Sequence, residues 1–240
     1  EDAPSETVGR RSGCVRLMIR DRGCWSHASD GTATLAYAYL PTRRRGAYCI
    51  SMAVVIDTNR KHWTAADLRE IPDDRNRYEI IDGALFATPA PSLSHQELSA
   101  GFFLAIRQYL KAHGIGNIVY APADVVLADD TVLEPDLFVF PPITGKLPAQ
   151  WEGAAGLLLV IEVLSPGTAR VDRTVKRRRY QQEGVPEYWI VDGDARIVER
   201  WRPQDDRPEI ISEGLEWRPD PELPALKVDL PALFDAALGD

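Results

Sequence analysis

The sequence predicts an α+β fold, because its helical and strand-like segments follow one another in blocks. Two short runs, 132–140 and 157–164, are rich in β-branched, aromatic and aliphatic residues, as strands are. Apolar residues at 98, 102, 106 and 110 instead recur at every fourth position, which is the period of one helical face. Asp-Gly pairs at 82–83 and 192–193 are typical of tight turns between antiparallel strands.

The first half of the predicted domain contains a short helix, a hairpin and a long helix. The short helix begins at Thr64, and the hairpin spans 77–86. The sequence Ser94-His95-Gln96-Glu97 predicts a capping box at the start of the long helix, and Gly114 ends that helix. Strands are then predicted at 117–127 and 132–140.

The second half begins with a linker that starts at Pro141 and leads to the strand at 157–164. A helix is predicted at 171–183, because Gly184 and Pro186 end it. The strands on either side of Asp192-Gly193 form a second hairpin, and a helix at 231–237 closes the chain.

Residues 1–51 differ from the rest of the chain. They contain all three cysteines, three consecutive arginines at 43–45, and no clear helical or strand period. We predict that 1–51 is a disordered or non-native extension, and that the folded domain covers 52–240 from an initiator at Met52. A small accessory subdomain is the alternative interpretation.

Composition limits the classes of protein to which the chain can belong. With 240 residues and 45% apolar content it can bury the core of one domain with appendages. No apolar run reaches the ~18 residues of a membrane span, and no secretory signal is recognisable, so we expect a cytoplasmic protein with no membrane contact. The net charge of −8 argues against a protein that binds nucleic acid by bulk attraction, but it allows a local basic groove.

Two carboxylates lie inside the two most strand-like runs. An ionised Glu162 within Leu157–Leu164 is costly unless a positive group meets it, and Asp136 has the same character within 132–140. If the two strands are neighbours, these carboxylates can face each other. Hard oxygen ligands suit Mg²⁺, so the pair predicts a metal site.

The helix predicted at 171–183 carries the densest group of basic residues in the main domain. Asp172, Lys176 and Tyr180 are spaced by four and therefore share one face. Because this helix follows the acidic strand directly, its cations are expected near bound phosphates. The side chains expected to contact nucleic acid are Arg173, Arg177, Arg178 and Arg179.

Four motifs occur in the order and at the spacing of a known family: Pro135-Asp136, Val160–Pro166, Asp172-Arg173 with Lys176 and Tyr180, and Gly184–Asp192. With Tyr78–Gly83, the Ser94-His95 helix start and Leu223–Leu226, they make residues 62–236 resemble the Uma-two-type restriction endonucleases of the PD-(D/E)XK nuclease superfamily. The resemblance implies a restriction-endonuclease-like core, in which a mixed sheet of four to five strands is flanked by helices.

The resemblance also implies an activity, the magnesium-dependent hydrolysis of DNA phosphodiester bonds. Asp136 and Glu162 become ligands of Mg²⁺ or Mn²⁺, with the Val163 carbonyl as a third. The superfamily's lysine usually stands two residues after the second acid, where this chain has Leu164. The family instead implies that Lys176 is the catalytic group that orients water or stabilises developing phosphate charge.

Four further residues are candidates for the site, and each also has a structural explanation. Glu97 and His95 lie at a predicted helix start, where capping or solvent contact explains them. Asp124 is either an acid near the site or a residue of a strand edge, and Tyr180 is either a direct participant or core packing.

The leading interpretation is therefore a DNA endonuclease. One alternative is a catalytically inactive module that keeps the nuclease fold and binds nucleic acid or another partner. A third interpretation is the hydrolysis of RNA or of a small phosphodiester, which uses the same metal chemistry. Tyr188, Trp189 and Trp201 also predict an apolar face that could support a homodimer.

Overall fold

The computed structural model describes residues 18–20, 23–25, 62–71, 76–88, 90–148, 150–153 and 156–239. Near the N-terminus it describes two short strands, β1 (Met18–Arg20) and β2 (Gly23–Trp25), which pair antiparallel. The rest of the predicted extension 1–51 and the initiator Met52 lie outside the described residues, so that boundary stays a prediction.

The helices are α1 (Ala65–Leu68), α2 (Leu93–His113), α3 (Ala169–Val171), a π-helical segment (Asp172–Lys176), α4 (Arg177–Gln182) and α5 (Leu230–Leu238). Because α3, the π segment and α4 are continuous, we call them together the α3–α4 helix. The remaining strands are β3 (Arg77–Ile81), β4 (Ala84–Thr88), β5 (Asn117–Tyr120), β6 (Val125–Ala128), β7 (Thr131–Leu133), β8 (Leu137–Phe140), β9 (Trp151–Glu152), β10 (Leu159–Val163), β11 (Tyr188–Asp192), β12 (Ile197–Trp201), β13 (Glu209–Ile211), β14 (Gly214–Trp217) and β15 (Leu226–Asp229).

The main sheet has six strands in the order β13-β12-β11-β10-β8-β5. It is mixed, because β10 and β11 run parallel while the other neighbours are antiparallel. A second sheet has the order β4-β3-β7-β6-β9, and β14 pairs with β15. The predicted α+β fold with a mixed sheet is confirmed, although the main sheet has six strands rather than four or five.

Two apolar cores lie on opposite faces of the main sheet, because side chains alternate along β8. Leu137 and Val139 belong to the core that α2 and α5 cover. Phe138 and Phe140 belong to the second core, which the other sheet and Tyr180 of α4 complete. No helix in the described part of the chain is long and apolar enough to cross a bilayer.

Two predicted strands are each divided in two. The segment predicted at 117–127 becomes β5 and β6, and the segment predicted at 132–140 becomes β7 and β8, with the halves in different sheets. Pro122 and Pro135 lie at the breaks, and proline cannot donate a hydrogen bond within a central strand. Asp136 therefore lies at a corner between the two sheets, directly before β8.

The start of α2 differs from the prediction by two residues. Ser92 rather than Ser94 caps the helix, accepting a hydrogen bond from the His95 backbone N–H at 3.2 Å. The predicted capping role of Glu97 is therefore wrong. The C-terminal end is as predicted, because Gly114 has the left-handed φ of 66° that glycine favours.

The remaining corrections concern the C-terminal half. The helix predicted at 171–183 begins at Ala169 and contains the π segment, and the tail contains β13, β14 and β15, which the prediction lacked. Tyr188, Trp189 and Trp201 are buried within the domain, so the apolar face predicted to support a homodimer does not lie on the surface. A homodimer itself stays a prediction.

Candidate active site

Two buried carboxylates come together where β8 and β10 lie side by side. Leu137 pairs with Ile161 in the antiparallel register, which brings the preceding Asp136 beside Glu162. The Val163 backbone N–H donates to Asp136 Oδ2 at 2.9 Å, and the Asp136 N–H lies 3.4 Å from Glu162 Oε2. The predicted proximity of these two acids is therefore confirmed.

Lys176 extends from the π segment into a group of three carboxylates. Its Nζ lies 2.8 Å from Glu79 Oε1, 2.9 Å from Glu162 Oε1 and 3.6 Å from Asp172 Oδ1. The side chain of Lys176 is only 4% exposed. Lys176 thus does more than pair with Asp172 along its own helix.

Asp136 has two further neighbours that can carry positive charge. Arg77 Nη1, from β3, lies 3.0 Å from Asp136 Oδ1, and His95 Nε2, from the first turn of α2, lies 3.2 Å from the same oxygen. Arg77 also contacts the side chain and carbonyl of Glu134. The guanidinium therefore bridges the two acids that flank Pro135.

The two central carboxylates have opposite pKa shifts. Burial would raise the pKa of Asp136, but the hydrogen bond and charge of His95, followed by the charge of Arg77, hold it below its ordinary value. Burial raises the pKa of Glu162 well above its ordinary value; Lys176 opposes this shift, and Asp136, Asp172 and Glu79 reinforce it. Burial is therefore the main reason that the pKa of Glu162 is raised, and the charge of Lys176 opposes this shift only in part.

The pKa values of Lys176 and Asp172 are set by the same balance between burial and neighbouring charges. Burial would lower the pKa of Lys176, but the charges of Glu162, Glu79 and Asp172 raise it well above its ordinary value, so the ammonium stays protonated. Burial raises the pKa of Asp172 to about 6, against the opposing effect of Lys176.

A cleft of about 500 Å³ opens onto this cluster. Its floor contains the charged residues Arg77, Glu79, His95, Asp136, Glu162, Asp172 and Lys176. Its rim is formed by the start of α2, the 164–169 loop before α3 and the 192–194 turn. The cleft therefore gives a substrate access to the cluster from solvent.

Comparison with known proteins agrees with this architecture. The model of the family described as "Uma2: Putative restriction endonuclease" matches residues 65–232. The chain belongs to the Uma2 family. No curated protein matches the chain.

A solved structure shares the Uma2-type fold of the chain. It is the crystal structure of a putative nuclease belonging to DUF820 from Anabaena variabilis, which is 22% identical and aligns with a TM-score of 0.58. The match covers 73% of this chain and 99% of that one. At this identity the similarity concerns the fold.

The four further candidates are distributed unequally around this Uma2 site. His95 lines the cleft and contacts Asp136. Glu97 is exposed and does not line the cleft. Asp124 also lies outside the cleft lining, although burial and then the charge of Glu79 raise its pKa. Tyr180 is fully buried behind the cluster, with its ring 4.9 Å from that of Tyr188.

The predicted nucleic-acid-binding arginines are mostly engaged within the protein. Arg173 lines the cleft but lies 2.7 Å from both Asp192 and Glu199. The guanidinium of Arg177 lies over the Trp201 ring and donates to Gln181. Arg179 pairs with Asp82 and Glu183. Arg178 is exposed, and it makes no ion pair within the described part of the chain.

Three charged residues of the cleft floor were missing from the predicted site: Glu79, Arg77 and Asp172, the last of which was predicted only to share a helix face with Lys176. Glu79 and Arg77 lie on β3 of the second sheet, which reaches the main sheet through the pairing of Ile80 with Val132 and the corner at Pro135. The sequence contains a signal for Glu79, because it is an acid within the apolar run Tyr78–Ile81, as Glu162 is within its own run.

Proposed function

We propose that this protein is a metal-dependent endonuclease that hydrolyses DNA phosphodiester bonds. The observation that carries the proposal is the joining of Asp136 and Glu162 on neighbouring strands with Lys176, whose Nζ lies 2.9 Å from Glu162 Oε1. Two acids and a lysine on these elements fit the PD-(D/E)XK arrangement, with the lysine supplied by a helix. The family's description as restriction endonucleases supports DNA as the substrate.

The side chains fit a hard divalent cation. Five carboxylates, Glu79, Glu134, Asp136, Glu162 and Asp172, meet the permanent cations Arg77 and Lys176. Burial raises the pKa values of Glu162 and Asp172, and the neighbouring carboxylates add to the shift. No group of three or more metal-binding side chains converges among the described residues. Two carboxylates completed by water and phosphate oxygens match the coordination that Mg²⁺ prefers.

In the proposed reaction, the oxygen of a water attacks phosphorus, the bond to a sugar oxygen breaks, and that oxygen leaves with a proton. Mg²⁺ held by Asp136 and Glu162 would polarise a phosphoryl oxygen and lower the pKa of a water. Lys176 stays protonated, so it does not remove a proton from water. Its ammonium would stabilise negative charge as it develops on the phosphate.

Arg77 and His95 would contribute beside Asp136. Burial would lower the pKa of Arg77, but the charges of Asp136 and Glu134 outweigh burial and raise the pKa above its ordinary value. The guanidinium is therefore a permanent donor at the cleft floor. A guanidinium can hold two phosphate oxygens at once and so fix the orientation of the scissile group. The contact of His95 with Asp136 Oδ1 would orient that carboxylate.

The second candidate is a catalytically inactive module with the same fold. It is favoured because the charged side chains of the cluster already pair with one another: Lys176 contacts three carboxylates, and Arg77 and His95 both contact Asp136. Such a network can rigidify a fold without chemistry.

Incubation of the full chain with supercoiled plasmid and with single-stranded DNA separates the candidates. An endonuclease produces nicked and linear products with Mg²⁺ or Mn²⁺, but none with EDTA or with Asp136→Asn. Calorimetric uptake of Mn²⁺ without any cleavage would support the inactive module. Cleavage that persists in EDTA would overturn the metal-dependent mechanism.

A further inference from the structure

A second hollow, of about 200 Å³, lies on the far side of the Asp136 contacts. It shares Arg77, His95 and Asp136 with the main cleft, so the two spaces meet at the candidate catalytic acid. Its other walls differ in character, because they include the aromatic rings of Phe103 on α2 and Tyr120 on β5. A ligand in this hollow would therefore touch both an aromatic wall and the proposed reaction centre.

Tyr120 forms an exposed aromatic wall at the edge of the main sheet. It is 63% exposed, and its ring packs perpendicular to Phe103, at 88° and 5.2 Å between centroids. It pairs with Leu137, and the N–H of the next residue, Ala121, donates to the Asp136 carbonyl at 3.0 Å. The ring is thus anchored one residue along the ladder from the catalytic acid.

The remaining walls of the hollow supply polar atoms. The guanidinium of Arg107 lies 5.5 Å from the Phe103 ring centroid and supports this ring, although Arg107 does not itself line the hollow. The side chain of His95 is only 10% exposed, and its Nδ1 has no hydrogen-bond partner among the described residues. Gln96 adds an amide to the same wall. Aromatic and polar walls together suit a flat heteroaromatic ligand.

We propose that this hollow binds an unstacked nucleobase of the strand whose phosphodiester lies at Asp136 and Glu162. The inference rests on the proposed nuclease function and names its substrate class: single-stranded DNA, or duplex DNA with an unpaired base near the cut. A base inside a duplex is already stacked and cannot use the Tyr120 ring without leaving the helix.

Charge favours a base over other occupants of the hollow. The chain carries a net charge of −8, and three of the four predicted phosphate-binding arginines contact its own acidic or aromatic side chains. Bulk phosphate attraction is therefore weak, and stacking, which works on every base, can supply the missing affinity. A second copy of the chain is less suitable, because it would cover the opening that leads to Asp136.

The test compares Tyr120→Ala with Tyr120→Phe, which keeps the ring. Ile210→Ala is the matched control, since Ile210 is also a large exposed apolar residue, 55% exposed, on the opposite edge strand β13. Full-length variants are mixed with single-stranded oligonucleotides that carry 2-aminopurine at successive positions, in Mg²⁺. The variants carry Lys176→Met as well, because loss of this ammonium is expected to slow cleavage during the measurement. Stacking on the protein is read as a fluorescence change at one position.

We expect Tyr120→Ala to weaken single-strand binding by about 5- to 150-fold, the range for one stacked base, and to remove the position-specific signal. Tyr120→Phe and Ile210→Ala should bind as the parent does. The inference would be overturned if Tyr120→Ala bound single-stranded DNA as tightly as its parent does. It would also be overturned if sedimentation showed that Tyr120→Ala changes the monomer–dimer equilibrium and that this change accounts for the weaker binding. If the parent chain cleaves no DNA, the nuclease proposal fails, whereas the fluorescence result still decides whether a base is bound.

Discussion

The α3–α4 helix presents charged side chains to two different environments. On its inner face, Asp172 and Lys176 are almost fully buried and meet carboxylates from β3 and β10. On its outer face, Arg177 and Arg179 are half-buried and pair with neighbours near solvent, while Arg178 is exposed. Burial decides how much each charge matters, because a pair in water contributes little, whereas a buried charge without its partner is costly.

This difference in burial indicates which face of the α3–α4 helix can take part in a reaction. The sequence makes five cations between 173 and 179 look equivalent, but only Lys176 reaches the carboxylate pair. The π segment coincides with this inner face, and π turns inside helices occur frequently at functional sites. Substitutions on the inner face should therefore have larger effects than substitutions on the outer face.

Asp136→Asn should cause the largest loss of metal binding and of DNA cleavage. Replacing the carboxylate by a neutral amide removes one of two charged ligands from a hard cation. Losing a residue that only orients a ligand already costs about 10- to 100-fold in metal affinity, so Asp136→Asn should weaken Mn²⁺ binding by more than this. Calorimetry and plasmid cleavage measure the two effects. Glu97→Gln, which neutralises an exposed acid outside the cleft, should leave both at parental values. Tight Mn²⁺ binding by Asp136→Asn would place the metal elsewhere.

Lys176→Met should reduce turnover by about 10²- to 10³-fold, as expected for loss of one electrostatic stabiliser of the transition state. Metal binding should persist or tighten, because a positive charge near Glu162 disappears. Lys176→Arg keeps the charge and should retain more activity than Lys176→Met. Parental cleavage rates in Lys176→Met would reduce the lysine to a structural role.

Lys176→Met should also lower the free energy of unfolding, by an amount that depends on pH. Without Lys176, three buried carboxylates lose their cation, and breaking such a pair costs about 3–5 kcal/mol. The pKa values of Glu162 and Asp172 are raised, so their protonation would relieve the repulsion, and the deficit relative to the parent should shrink as pH falls from 8 towards 5. Urea unfolding in EDTA at several pH values measures this deficit. A deficit that does not change with pH would indicate lost packing rather than uncompensated charge.

Asp172 provides a smaller test of the buried face. Its folded-state pKa of about 6 lies above the ordinary value of 3.8, so the folded state binds the proton more tightly. This group therefore favours folding at pH below 4, and that contribution is lost as pH rises through about 6. Asp172→Asn removes the titration, and its stability relative to the parent should increase between pH 4 and 7 by on the order of 2 kcal/mol. A parallel pair of stability curves would contradict the raised pKa.

Much of the fold could be predicted from local patterns. Alternation and helical period predicted α2, the two hairpins and the β10 strand, and they placed Asp136 and Glu162 together because both acids interrupt apolar runs. The strands β13 to β15 could not be predicted, since they are short, a proline precedes β13, and three prolines lie between β14 and β15. Their pairing depends on neighbours from elsewhere in the chain.

The unpredicted half of the site has a similar physical origin. Glu79 and Arg77 reach the cluster only because β3 pairs with β7 and the chain turns at Pro135 into the main sheet. Contacts across 57 or more residues of chain, such as that from Arg77 to the Glu134 carbonyl, leave no local period in the sequence. Lys176 was found because a family resemblance, rather than a pattern, indicated the helix.

The outer face should give the smallest effect, and it is tested with single substitutions. Arg178→Ala removes the one exposed arginine of α4, which makes no ion pair with a described residue, so at most one phosphate contact is lost. The slope of log affinity against log salt should then fall by about 0.9 for duplex DNA. Arg177→Ala and Arg179→Ala are the controls, since their guanidinium groups are already engaged by Gln181 and Trp201 or by Asp82 and Glu183. If these two change the slope as much as Arg178→Ala does, the outer pairs open on binding and the whole face contacts DNA.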